Sequence, residues 1–127
     1  MANPAKLTVT KLALDGSVAQ PVADTIDTAG TVPIVPADYG GDMGNLMIEV
    51  VEQNVDALTV TVLAGDNPPA VRSGLGNLVV AVAKNTGKVI GPLESARFIQ
   101  DDGKLNVAFA ATTTVSAKVR TYLLPKV

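Results

Sequence analysis

The sequence predicts an all-β protein, an antiparallel β-sandwich of eight or nine strands, and three observations carry that prediction. Apolar residues recur at every second position in run after run, which is the spacing that sends one side chain inward and the next outward along a strand. Gly, Pro, Asn and Asp fall between the runs, where the chain must turn. No stretch shows helical spacing bracketed by caps. The apolar pieces are small and branched: 47% of residues are hydrophobic but only 3% are aromatic, namely Tyr39, Phe98, Phe109 and Tyr122. The expected core is therefore built of Val, Leu, Ile and Ala.

Residues 1–5, MANPA, read as a flexible N-terminal arm, and 6–127 as a single β-sandwich domain, because 127 residues suit one domain with a cooperative core. KLTVTKLAL (6–14) alternates Leu7 and Val9 against Thr8 and Thr10, and Asp15-Gly16 closes it. Residues 21–45, PVADTIDTAGTVPIVPADYGGDMGN, interrupt every short apolar piece with Pro or Gly and read as a long irregular loop. Its Ile34, Val35 and Tyr39 are apolar enough to dock on a partner. LMIEVVEQ (46–53) and LTVTVLA (58–64) are strands, with NVDA between them as a hairpin connection. NLVVAVAK (77–84) is another, followed by the turn NTG and the short KVIGP. ARFIQ (96–100) and KLNVAFAA (104–111) read as a hairpin through DDGK, with Gly103 at positive φ and with Phe98 and Phe109 facing a common core. VSAKVRTYLL (115–124) is the last strand.

Composition removes several kinds of chemistry. Cysteine and histidine are both absent, which excludes disulfide frameworks, thiolate nucleophiles and thiolate or imidazole metal sites. A net charge of -2 and a pI near 4.9 offer no basic face to a nucleic acid. No apolar run approaches a membrane span, and MANPAKLTV lacks the basic start and apolar core of a signal peptide, so the chain is expected to stay unexported.

The most polar and organised stretch is GPLESARFIQDDGKLNVAF (91–109). Glu94 with Asp101 or Asp102 has the residue types of a glycosidase pair, but such a site needs aromatic platforms the chain cannot build. Ser95 has no histidine to activate it and no glycine elbow around it. GLGNLV (74–79) lacks the third glycine of a dinucleotide fingerprint, and NTGK lacks the remainder of a phosphate loop, so both read as turns. Asp38, Asp42 and Asn45 are hard oxygen donors without the spacing of a helix-loop-helix calcium site. DNPPAVRSG (66–74) turns the chain and presents Arg72, while Glu94 and Arg97 orient each other or a neighbouring subunit. The reading is a protein that is not an enzyme and needs no cofactor.

The order of AKLTVTKL, a Pro- and Gly-rich middle, TVTVLAGDNPPAVRSGLGNLVVAV, GPLESARFIQDDGKLNVAF and a final YLLP resembles the capsid decoration, or cement, proteins encoded among the head genes of tailed bacteriophages. The resemblance spans nearly the whole chain and is most specific at ESARFIQDDGKL. It implies a jelly-roll-like sandwich that binds the major capsid protein on the outside of an icosahedral head, commonly as a trimer. The protein would then be made in the host bacterial cytoplasm and end in the virion. Asn3 and Pro4 of the arm, Ile34, Val35 and Tyr39 of the long loop, and Arg72, Glu94 and Arg97 are the residues expected at protein contacts. A tail or head-fibre component is the nearest alternative, and a carbohydrate-binding sandwich is disfavoured by the scarcity of aromatics.

Overall fold

The structure is a computed structural model in which residues 3–39, 43–52, 57–65, 76–93, 95–112 and 115–125 are described. Among the described residues nine strands form: β1 (Val9–Lys11), β2 (Asp24–Ile26), β3 (Gly30–Ile34), β4 (Leu46–Glu52), β5 (Leu58–Val62), β6 (Leu78–Val82), β7 (Gly87–Ile90), β8 (Leu105–Ala111) and β9 (Ala117–Leu123). Two single α-helical turns, α1 (Pro36–Tyr39) and α2 (Ser95–Phe98), and one 3-10 turn at Met43–Asn45 interrupt them.

One sheet runs β1-β9-β4-β7, with β2 also paired to β9, and the other runs β3-β8-β5-β6. Every pairing is antiparallel except β1 on β9, which is parallel. With β1 set aside, the orders β2-β9-β4-β7 and β3-β8-β5-β6 are those of a jelly roll, two Greek keys wrapped into a sandwich. The alternation seen in the sequence is the cause. Leu46, Ile48 and Val50 on β4 and Leu58, Val60 and Val62 on β5 are fully buried, as are Leu105, Val107 and Phe109 on β8 and Ala117 and Val119 on β9. All of them face the space between the sheets.

Three expectations are corrected. The first concerns the segment 21–45, which is not one irregular loop but contains β2 and β3. Pro33 is tolerated in β3 because that strand is a sheet edge, and its carbonyl accepts from Leu7 N at 2.9 Å on the side away from β8. Its missing N–H therefore costs no ladder bond.

The second is the supposed hairpin at NVDA, since β4 and β5 lie in different sheets and do not pair. Residues 53–56 between them lie outside the described residues.

The third is ARFIQ, whose first three residues belong to the helical turn α2 and which forms no strand. DDGK still turns the chain, with Gly103 at φ 83° and its N–H donating to Gln100 O at 2.9 Å. Phe98 and Phe109 both reach the core, Phe98 from the helical turn.

Candidate functional site

The two outward faces of the sandwich differ in chemistry. On the first sheet, the outward positions of β9 and β4 carry charge. Arg120 lies 3.5 Å from Glu49, and its Nε donates to Pro21 O at 3.1 Å. Lys118 Nζ donates to Thr25 Oγ1 at 2.6 Å. Pro21 lies against this face through its bond to Arg120, and Pro21, Val22 and Ala23 border a shallow opening there with the two cations.

The outward face of the second sheet carries no charge at any strand position. Thr59 and Thr61 from β5, Ala108 and Ala110 from β8, and Val79 and Ala81 from β6 make its surface, and β3 and the start of β8 add only Thr, Pro and Asn. Small side chains on a pleated sheet leave it smooth, and its Thr, Ala and Val surface is less strongly hydrated than a charged one.

The two lateral sides differ as well. On one side the chain closes the gap between the sheets with its own N-terminal segment. Asn3 accepts from Asp27 N and Thr28 N at 3.0 and 3.1 Å and donates to Thr28 O at 2.8 Å. Asp24 accepts from Thr8 N at 2.7 Å and from its hydroxyl at 3.0 Å. Lys6 lies 3.1 Å from Asp38. On the other side β6 and β7 are the edge strands of their sheets, joined by a tight turn in which Asn85 has φ 58°. Val79 is 62% exposed and Val89 56%.

At one end, α2 and the turn after it grip the stems of the β5–β6 connection. Gly65 N donates to Arg97 O at 2.7 Å, and Gln100 Nε2 donates to Ala64 O at 2.9 Å. Ala64 N donates to Asn77 Oδ1 at 2.7 Å, tying the two stems to each other. Arg97 donates to Gly76 O and Asn77 O at 3.2 and 3.4 Å, with its guanidinium 4.8 Å from the centroid of Phe98. The most organised stretch of the sequence is thus a clamp on a loop base.

Those positions recast the expected contact residues. Ile34 and Tyr39 are buried in this chain's own core, because β3 and α1 pack inward. The Tyr39 hydroxyl donates to Gly103 O, and burial, with a smaller contribution from the Asp102 carboxylate, pushes its pKa up. Val35 is half-buried beside α1, where its carbonyl accepts from Asp38 N. Asn3 is half-buried and bonded as above, with Pro4 half-buried beside it. Arg97 belongs to the clamp. Arg72 and Glu94 lie outside the described residues, as does Asp42.

Sequence reasoning missed the uncharged face. Its signal was present in NLVVAVAK, where both parities of the strand are apolar although one of them faces water. No family model, no curated protein and no solved structure matches the chain.

Proposed function

We propose that the protein is a structural component of a bacteriophage virion that binds the outside of an icosahedral capsid and stabilises it. The observation that carries this reading is the uncharged outer face of the β3-β8-β5-β6 sheet on a jelly-roll sandwich. A protein that reinforces a shell must add binding free energy to the assembled state and none to the dissociated one. A smooth face of Thr, Ala and Val does that through apolar burial, without charges whose desolvation would cost more than it returned.

The partner on this reading is the major capsid protein, and the protein acts as a homo-oligomer, with three copies the expected number from the resemblance set out above. Its place is the capsid surface of the virion after synthesis in the host cytoplasm. The test is to mix the purified protein with shells that lack it. Saturable co-sedimentation is expected, and protein left wholly in the supernatant would overturn the proposal.

A further inference from the structure

Of the four sheet edges, three are blunted. The edge beside β9 is occupied by two three-residue strands, β1 and β2. The β3 edge carries Pro33 and is covered where Leu7 N bonds to Pro33 O. Edge β7 carries Lys88 in a strand of four residues. Only β6, LVVAV, has neither a charge nor a proline, the devices by which sheet proteins discourage pairing with other chains.

The register shows which backbone groups of β6 are open. Leu63 N donates to Asn106 O at 3.0 Å, one step beyond the Val62–Val107 pair, so residues 59, 61 and 63 bond toward β8. Residues 58, 60 and 62 then bond toward β6, and their partners Val82, Val80 and Leu78 complete that ladder. Val79 and Ala81 are left with their N–H and C=O groups pointing away from the sheet, and among the described residues nothing bonds to them. Both side chains are exposed on the uncharged face.

We infer that β6 pairs with β6 of a second copy of this chain, antiparallel and about a twofold axis at Val80. The open groups are self-complementary only in that arrangement: Val79 meets Ala81 of the second copy, Ala81 meets its Val79, and all four backbone groups on each strand are satisfied. Charge agrees with the register. No charged residue lies between Gly76 and Ala83, and each Lys84 falls beyond the partner strand at Gly76 and not against the other Lys84. Antiparallel neighbours in one sheet present the same face in the same direction, so the pair joins two uncharged faces into one continuous eight-stranded surface. A threefold contact would use other surfaces, so the assemblies expected are a dimer, or a hexamer if trimers also form.

Light scattering of the purified protein across a concentration series, with two variants, tests this without any capsid. Ala81→Pro deletes an N–H that the β5 ladder does not use, so circular dichroism should be unchanged while the mass falls by half. Val80→Cys places one thiol on each side of the axis in a chain with no other cysteine, at the roughly 4.5 Å Cα separation of a non-hydrogen-bonded pair. Oxidation should give a covalent dimer in high yield. A monomer or an odd-numbered assembly, a mass unmoved by a folded Ala81→Pro variant, or a Val80→Cys protein that stays uncrosslinked would each overturn the inference. The shell-binding experiment can fail while these succeed, so the two proposals fall separately.

Discussion

Thr121 sits on β9 in the centre of the core, fully buried, and its hydroxyl has no hydrogen-bond partner among the described residues. Its neighbours along the strand, Ala117 and Val119, are apolar and point the same way. A buried hydroxyl without a partner loses its hydration and gains nothing in return. Thr121→Val keeps the branched shape and removes the cost, so it should raise stability by about 1 kcal/mol in chemical denaturation. Tyr39 is the opposite case, a buried hydroxyl that does have a partner, in Gly103 O. Its pKa is raised in the folded protein, chiefly by burial, so the unfolded chain loses the phenolic proton first as pH rises. The stabilisation is therefore complete below the unfolded value of about 10 and is lost as pH climbs through the folded value. Tyr39→Phe should cost roughly 1 kcal/mol near neutrality and flatten the fall of the thermal midpoint at alkaline pH. A variant whose alkaline fall matches that of the unaltered protein would refute the assignment.

The elements that could be read from the sequence are those with strict alternation over five or more residues: β4, β5, β8 and β9 each bury alternate side chains as their patterns require. What stayed hidden has specific causes. β2 is three residues long and β3 contains a proline, so neither presents a run that periodicity can recognise. ARFIQ alternates over too few residues for a two-residue period to be told from one helical turn. Sheet membership was hidden too, since a short connection serves a hairpin and a crossing between sheets equally well. The clamp around α2 could not be read at all, because its bonds join residues far apart in the chain. Gly65 shows how tight it is: a Cβ there would collide with the carbonyl oxygen of Ile99. Gly65→Ala must push α2 away from the β5 stem, and a loss of about 1–3 kcal/mol is expected by thermal or denaturant unfolding. An unchanged stability would mean that the clamp is not part of the cooperative unit.

At the scale of the molecule the sandwich is asymmetric in two directions. One outer face carries the Arg120–Glu49 pair and Lys118 beside Pro21, Val22 and Ala23, while the other is free of charge at its strand positions. One lateral side is closed by Asn3, Leu7 and Asp24, while the other presents β6 and β7. The core accounts for neither asymmetry, since the buried residues are served equally well by charged outward neighbours. The first is explained if the uncharged face rests on a larger surface, and the second if β6 pairs with a second copy of the chain. The most direct test is to titrate shells that lack the protein with the unaltered chain and with Ala108→Glu, which places one charge at the middle of the uncharged face on the central strand β8. The account predicts saturable binding of the unaltered protein, a higher shell disruption temperature, and loss of both effects in a variant that remains folded. Failure of the unaltered protein to bind, or equal binding by Ala108→Glu, would contradict it.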